Sequence, residues 1–267
     1  MSTKSELTSI FFEQLRGITS GSESPEQLNS ALRLLAKWRS VLIRNTVLHH
    51  IGTKVASGVF AGMNFLPKSA EGCHVAKLLG CYEQPLQPVI EEAIRANYPL
   101  VINIGCAEGY YAVGLACRMP NTKVMAFDVN ENARMACGHL AEKNGVRSRV
   151  EIGGLFRPES FGHYADRNAL VICDIEGAEK ELLDPDVSPA LRSMDLIVEA
   201  HDILIPGISK MLRGRFEASH VVTQIDDNGH RRIDGLAWFQ QWNHLDQLLA
   251  AWEWRSGPTP WLVMKRR

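Results

Sequence analysis

"LVINIGCAEGYYAVGLA", residues 100–116, is the stretch that decides the fold. Residues 101–104 are mostly apolar and predict a short buried strand, whereas the Ala- and Leu-containing end predicts a helix. The turn between them has the spacing Gly105-x-x-x-Gly109. In an open α/β sheet such a junction lies at the carboxyl end of a central strand, where glycines let a ligand approach the backbone and the helix N-terminus offers free N–H groups. The stretch therefore predicts a ligand site on an α/β sheet.

A second strand and an acidic residue follow the turn. Residues 124–127 are apolar, and Asp128 comes next, about twenty residues after Gly109. An acidic residue at this distance can accept hydrogen bonds from both ribose hydroxyls of a nucleoside. Alternatively, Asp128 is a turn residue or a helix N-cap before Asn130. The glycine spacing does not match G-x-G-x-x-G, so an NAD(P)-dependent oxidoreductase is the weaker alternative.

The alternation of strands and helices continues beyond Asp128. Helices are predicted over 133–143 and 177–183. Further strands are predicted at 150–152, 170–173, 221–225 and 261–264. Another is the apolar strand in "MDLIVEAHD", which ends in Glu199, His201 and Asp202. This order predicts an α/β fold, a Rossmann-like doubly wound sheet of about seven strands with the last strand antiparallel and an N-terminal helical extension.

The N-terminal part predicts two helices and then an irregular segment. Apolar residues at helical spacing indicate a first helix over 7–18. A second helix begins after Ser24, a good N-cap, with Pro25 at its first position, and ends near Gly52. Residues 58–84 contain four glycines and no sustained period, which is typical of a loop that covers a ligand.

Composition narrows the class of partner and compartment. The net charge is −1 at pH 7, which leaves no basic footprint for a nucleic acid or an anionic membrane. The 6 cysteines form no C-x-x-C pair, which favours a reducing compartment. No run of apolar residues reaches membrane-spanning length, and no secretory signal is recognisable. We expect a soluble, cytoplasmic protein.

The residues from about 98 to 267 resemble the class I S-adenosylmethionine-dependent methyltransferases. "VINIGCAEGYYAVGLA" is similar to their first motif, and Asp128 matches their ribose-binding acid. "DIEGAEKELL" and "VEAHD" look more particularly like the FkbM type, whose members mostly methylate hydroxyl groups on sugars and other natural products. "LGCYEQPL" resembles the segment ahead of that type's first strand, which implies that Glu83 lies near the cofactor. The implied division is an N-terminal helical extension and cap or lid over 1–97 and a methyltransferase domain over 98–267.

The resemblance implies S-adenosyl-L-methionine as cofactor, with two departures from the family's motif. Asn103 stands where the family commonly has Asp or Glu, and it cannot form the charge-assisted contact to the cationic cofactor. Ala107 replaces the middle glycine, and Glu108 could supply the missing charge if its side chain turns inward. Glu83 and Glu176 could instead cap the helices that follow them. The predicted cofactor-binding residues are Glu83, Asn103, Gly105, Cys106, Ala107, Glu108, Gly109, Asp128, Asp174 and Glu176.

Transfer of a methyl group to a hydroxyl needs a base, and His201 is the best candidate because its ordinary pKa lies near neutral pH. Asp174 and Glu199 end adjacent strands and complete the predicted catalytic set, either by orienting His201 or by binding cofactor or acceptor. A purely structural histidine is the alternative. Asp174, Glu199 and Asp202 with His201 could also accept Mg²⁺, but we predict no metal site.

The predicted function is O-methylation of a small-molecule or saccharide hydroxyl. Residues 55–84 and 203–235 are expected to shape the acceptor pocket, and the N-terminal helices could form a homodimer contact. A non-catalytic SAM-binding or scaffold protein is the alternative from another class. An RNA methyltransferase conflicts with the neutral charge and the lack of a basic accessory module.

Overall fold

The computed structural model describes residues 4–21, 23–69, 72–165 and 167–267. The chain forms two compact units. The helical unit consists of Met1–Gly52 and Gly235–Trp252, and the sheet unit of Thr53–Asp234 and Glu253–Arg267. This grouping reflects packing and does not test the functional division between residues 97 and 98, which stays a prediction.

The elements follow one another in the predicted alternation. The helices of the described ranges are α1 Lys4–Thr19, α2 Pro25–Ile51, α3 His74–Leu79, α4 Gln87–Ala96, α5 Tyr110–Arg118, α6 Glu131–Lys143, α7 Glu179–Leu182, α8 Ile208–Phe216, α9 Ala237–Gln240 and α10 His244–Ala251. The strands are β1 Leu100–Ile104, β2 Lys123–Phe127, β3 Val150–Gly153, β4 Ala169–Cys173, β5 Asp195–Glu199, β6 His220–Ile225 and β7 Trp261–Arg266. Within those described ranges, no helix combines the length and apolarity needed to cross a membrane.

The helical unit confirms the predicted boundaries of its longest helix. Ser24 accepts a hydrogen bond from the backbone N–H of Gln27, Pro25 is the first residue of α2, and Gly52 ends the helix with φ +62°. Proline suits the first turn because its missing N–H has no partner there, and glycine adopts positive φ without a steric penalty. The Arg39 guanidinium Nε donates to Asp246 Oδ1 at 2.6 Å and joins α2 to α10 within this unit.

The sheet of the described residues has seven strands in the order β3-β2-β1-β4-β5-β7-β6. β7 runs antiparallel to both β5 and β6, and the other pairs are parallel. The predicted doubly wound fold with its antiparallel last strand is therefore confirmed. Because parallel strands end at the same edge, the order brings the residues that follow β1, β2, β4 and β5 together at the carboxyl edge.

The central strands are buried on both faces, as parallel strands covered by helices must be. Each of the strands β1, β4 and β5 has five residues, and all of them are buried. One face of the sheet packs on α8 through Leu212 and Phe216. This rigid core fixes the strand ends, from which the candidate site is built.

Two elements differ from the sequence prediction. The segment 58–84 was expected to be irregular, but it contains α3, all six residues of which are buried. A helix buried on every side has no polar face, so it shows no amphipathic period. The helix predicted over 177–183 is only four residues long, because Glu176 and Gly177 have φ +54° and +100° and delay its start.

Candidate active site

The turn between β1 and α5 needs its first glycine. Gly105 has φ +77°, and a Cβ atom there would lie 1.6 Å from the Asp174 carbonyl oxygen. Ala107 also has positive φ, +46°, although it carries a Cβ atom. The backbone N–H groups of Gly105 and Cys106 both donate to the Phe127 carbonyl oxygen, at 2.8 and 2.9 Å. The turn is thus held firmly between the ends of β2 and β4.

Asp128 lies beside this turn at the end of β2. Its Oδ2 accepts a hydrogen bond from the Ala107 N–H at 2.9 Å, and its Oδ1 accepts from the Asn130 N–H at 2.8 Å. Asn130, rather than Asp128, caps α6 by accepting from the N–H groups of Asn132 and Ala133. Asp128 therefore bridges the two loops that the sequence predicts to hold the cofactor.

Asn103 and Glu108, on either side of the turn, are both buried. Asn103 Nδ2 donates to the Ile172 carbonyl oxygen at 3.4 Å, whereas its Oδ1 has no hydrogen-bond partner among the described residues. Glu108 does turn inward, but its Oε1 accepts from Lys77 Nζ at 2.7 Å and Ser69 Oγ at 2.6 Å. Burial raises the pKa of Glu108, and the ion pair with Lys77 and the hydrogen bonds outweigh it, so the pKa is lowered. The charge of Glu108 is therefore compensated by Lys77.

Sequence reasoning missed Lys77 because it lies in α3, the helix without a recognisable period. Its side chain is almost fully buried, and its Nζ lies 4.8 Å from the centre of the Tyr82 ring. A lysine inside the mostly apolar run "HVAKLL" is the one sequence signal that could have drawn attention to it.

The structure brings three predicted residues, His201, Asp174 and Glu176, together. His201 follows β5 and is 3% exposed. Its Nε2 lies 3.5 Å from Asp174 Oδ1 and 3.4 Å from Glu176 Oε2, and its Nδ1 lies 2.9 Å from Glu179 Oε1. Burial lowers the pKa of His201, but the hydrogen bond and charge of Glu179 and the charges of Glu199 and Glu176 raise it above the ordinary value.

Glu199 and Glu83 belong to a neighbouring ion cluster, where both pair with Arg255. Arg255 Nη2 lies 2.9 Å from Glu83 Oε1, and Arg255 Nη1 donates to Glu199 Oε1. The Tyr111 hydroxyl donates to the second oxygen of Glu83. Burial and the charge of Glu199 raise the pKa of Glu83 to about 8, although Arg255 opposes this shift. The remaining charged members of the ion cluster are Asp227, Arg231 and Glu253.

The ion cluster changes two roles suggested by the sequence. Glu83 precedes the 3-10 helix Gln84–Leu86, but its side chain makes no capping hydrogen bond. Glu199 pairs with Arg255, and it is Glu179 that contacts His201 Nδ1. Arg255 lies between α10 and β7 in a segment without helical or strand periodicity, so no pattern pointed to it.

The oxygen-rich set proposed for Mg²⁺ does not assemble around His201. Asp202 Oδ1 accepts from the Gly207 N–H at 3.0 Å, at the start of α8, and Glu199 is paired with Arg255. Asp174, Glu179 and His201 offer ligand atoms that lie within 4.8 Å of one another. A metal ion there would have to replace the hydrogen bond between Glu179 and His201, and we assign no metal to this group.

Comparison with known proteins gives structural likenesses only. No protein-family model matches the sequence, and no curated protein matches it. Among solved structures, the chain is similar to the O-methyltransferase TomG from Streptomyces achromogenes, involved in tomaymycin synthesis and in complex with SAM (13% identity, TM-score 0.46, 100% of this chain and 99% of that chain). It is also similar to an O-methyltransferase from Bacillus cereus in complex with SAH (12%, 0.46, 85% and 91%). A third similar structure is a methyltransferase from Geobacter sulfurreducens (13% identity, TM-score 0.43, 67% of this chain and 76% of that chain). At these identities and TM-scores, the likenesses assign neither a family nor a function to this chain.

Proposed function

We propose that the chain is an S-adenosylmethionine-dependent methyltransferase that methylates a hydroxyl group, with His201 as the general base. The observation that carries the proposal is the arrangement at one sheet edge. A closed glycine turn with Asp128 beside it follows β1 and β2, and an imidazole held among carboxylates follows β4 and β5. The first pair suits a nucleoside cofactor, and the second suits removal of a proton.

The residues present fit the cofactor in three respects. Asn103 Oδ1 is a buried acceptor without a partner among the described residues, and an ammonium group would satisfy it. Asp128 is partly exposed and could accept ribose hydroxyls beside its contact with Ala107. The first turn of α5 offers N–H groups to a carboxylate. When bound, the cofactor supplies a methyl group on a positively charged sulfur.

The acceptor side of the proposal rests on His201. Its Nε2 faces Asp174 and the largely exposed Glu176, so a hydroxyl that enters there meets a nitrogen able to take its proton. Asp174 and Glu176 would orient the hydroxyl. Arg255 pairs with both Glu199 and Glu83 in the ion cluster, and the catalytic role of Glu199 and the cofactor-binding role of Glu83 stay predictions. A saccharide or other small polyol as acceptor is supported by the FkbM-like segments alone.

A non-catalytic SAM-binding protein is the second candidate. Two residues near the end of β1 favour this candidate. Asn103 carries no charge, and Glu108 forms an ion pair with Lys77. Cofactor binding would then rely on neutral hydrogen bonds, which are weaker than charge-assisted ones.

The experiment that tests the proposal is isothermal titration with S-adenosylmethionine, S-adenosylhomocysteine and NAD. We expect the first two to bind and NAD not to bind. Asp128→Asn should weaken both affinities about tenfold or more, which corresponds to about 1.4 kcal/mol. Asp234→Asn, at an exposed position of the sheet unit, is the matched control and should change neither affinity.

Turnover separates the two candidates. Formation of S-adenosylhomocysteine with a panel of polyols and saccharides, lost in His201→Gln, supports the enzyme. Cofactor binding without His201-dependent turnover supports the binding protein. Failure of the wild-type protein to bind either sulfur compound contradicts both, and binding of NAD instead would revive the oxidoreductase.

A further inference from the structure

We propose that Glu179 is a positioning residue that holds His201 in the Nδ1–H tautomer and directs its Nε2 lone pair toward Asp174 and Glu176. The inference rests on the proposed function only where it says that this orientation of His201 serves its role as the base. Its physical content concerns the imidazole itself, and it can be tested without any substrate.

The Glu179 carboxylate is fixed by the backbone as well as by the imidazole. It is the first residue of α7 and is fully buried. Its Oε1 accepts a hydrogen bond from the Ile175 N–H at 3.0 Å and lies 2.9 Å from His201 Nδ1. One oxygen atom therefore ties the imidazole to the loop that follows β4. A contact made through a backbone-anchored oxygen constrains the ring more than a free surface carboxylate would.

The distances place the proton of the neutral imidazole on Nδ1. A carboxylate only accepts hydrogen bonds, so the 2.9 Å contact to Glu179 requires a proton on Nδ1. The contacts of Nε2 to Asp174 and Glu176, at 3.5 and 3.4 Å, are longer than a good N–H···O hydrogen bond. Nε2 is then the nitrogen with a free lone pair.

The buried carboxylate of Glu179 is poorly compensated, so its burial does not stabilise the fold. Burying a carboxylate is costly unless a cation or several hydrogen bonds compensate it. Among the described residues, the ion pairs of Glu179 include His201 and no lysine or arginine, and its Oε2 has no hydrogen-bond partner. A charge kept in such a place is useful if the imidazole becomes positively charged during the reaction, because Glu179 then stabilises the protonated ring.

Within the part of the chain that the structure describes, the charged groups that contact the ring or shift its pKa are carboxylates, and they act in the same direction. Glu179 approaches from α7, Asp174 and Glu176 approach from the loop after β4, and Glu199 acts from the end of β5. The four carboxylates favour uptake of a second proton. Glu179 differs from the others because it contacts Nδ1, so it alone selects which nitrogen receives that proton.

The test is ¹⁵N NMR of the full chain labelled at histidine, recorded at a pH where His201 is neutral and assigned by comparison with His201→Gln. The wild-type protein should show the Nδ1–H tautomer for His201. Glu179→Leu removes the acceptor at similar volume and should shift His201 toward the Nε2–H tautomer that free histidine favours. Glu179→Gln retains an accepting oxygen and should restore the wild-type signal.

Glu181→Leu is the matched control, since Glu181 lies on the same helix with an exposed side chain. It should leave the His201 signals unchanged. Thermal melting of each variant checks the fold. A wild-type Nε2–H tautomer, or a Glu179→Leu variant that keeps Nδ1–H, would overturn the inference. So would a shift of the His201 signals when Mg²⁺ is added to EDTA-treated protein, because a metal-bound nitrogen is not the base.

Activity gives the second readout once an acceptor is known. Glu179→Leu should lower kcat about 100-fold through misorientation of the base, with the KM for the acceptor unchanged. Glu179→Gln should recover most of this loss. If the tautomer responds as expected but no acceptor is ever methylated, the proposed function fails and the assignment of Glu179 stands.

Discussion

Asn103 gives the end of β1 in the candidate cofactor site a neutral amide in place of a charged carboxylate. Its side chain is buried at the end of β1, and its amide oxygen has no hydrogen-bond donor among the described residues. An amide at this position avoids the cost of burying a carboxylate in the free protein, and it gives up the stronger contact that a carboxylate would make to a cation. Stability and affinity therefore oppose each other at this one side chain.

We expect Asn103→Asp to reverse that balance. The variant should lose about 2 kcal/mol of unfolding free energy without ligand, because a charged or protonated carboxyl replaces an amide in a buried place. S-Adenosylmethionine should raise its melting temperature more than it raises that of the wild-type protein. Scanning calorimetry with and without ligand measures both effects, with exposed Asn121→Asp as the control. An equal ligand-induced shift in the two proteins would show that Asn103 does not face the cofactor.

Gly105 and Gly145 provide a matched test of the turn. Both have positive φ, +77° and +68°, but a Cβ atom on Gly145 would meet no atom within 4 Å, whereas on Gly105 it would collide with the Asp174 backbone. Gly145→Ala should cost about 1 kcal/mol from backbone strain. Gly105→Ala should cost several times more, because β1 and the loop after β4 must separate. Denaturant unfolding of the two variants compares these costs, and equal losses would contradict the close approach.

At the scale of elements, the ion cluster joins segments that are far apart in the chain. Arg255, between α10 and β7, pairs with Glu83 ahead of α4 and with Glu199 at the end of β5. Burying several carboxylates around two guanidinium groups makes the cluster sensitive to the loss of any one partner. The segments that carry these residues are thereby held at the same edge as the glycine turn.

The ion cluster predicts a falling stability with rising pH. The pKa of Glu83 is raised from its ordinary value of 4.5 to about 8 in the folded chain, mainly by burial. The folded state therefore holds a proton that the unfolded state has released between these pH values, and the unfolding free energy should decrease as pH rises through this range. Glu83→Gln should flatten this dependence, whereas exposed Glu142→Gln should retain it. Melting temperatures measured from pH 5.5 to 9 test the sign, and a parallel decline in both variants would assign the effect to other groups.

At the scale of the whole molecule, each of the two units has its own internal ties. In the helical unit, the Arg39 hydrogen bond lowers the pKa of Asp246, and Asn243 Nδ2 also donates to Asp246 Oδ2 at 2.8 Å. Because Arg39 lies on α2 and Asp246 lies on α10, their ion pair is a polar link between the two segments of sequence that form this unit. The sheet unit derives its order from the seven paired strands instead.

We expect Asp246→Asn to loosen the helical unit selectively. Loss of the ion pair should lower the protection of α2 and α10 against hydrogen exchange by about 1 kcal/mol, since Arg39 is partly exposed. The amides of β1 and β4 should keep their protection. Exchange followed by mass spectrometry resolves the peptides, with Asp186→Asn in the sheet unit as control. Uniform loss of protection in both units would show that they unfold together.

The sequence predicts the strands and helices of the sheet unit because local patterns of apolar residues and glycines determine them. The apolar run before Gly105 and the one before Asp128 each identify a strand and its end, and parallel pairing brings those ends together. The same reasoning placed Asp174 beside His201. It could not find Glu179 or Arg255, because their roles depend on partners from other segments and on burial, which periodicity does not report.

The position of β7 has a consequence for the order in which the sheet can form. β7 lies between β5 and β6 and is synthesised after both. Until it emerges, the five strands from β3 to β5 can pair with one another, but β6 has no neighbour in the sheet, and β5 exposes the backbone of a buried, apolar strand. An unpaired apolar strand is a template for pairing with other chains. A nascent chain halted between β6 and β7 is therefore the form of this protein most exposed to aggregation, and the strand made last is the one that removes that hazard.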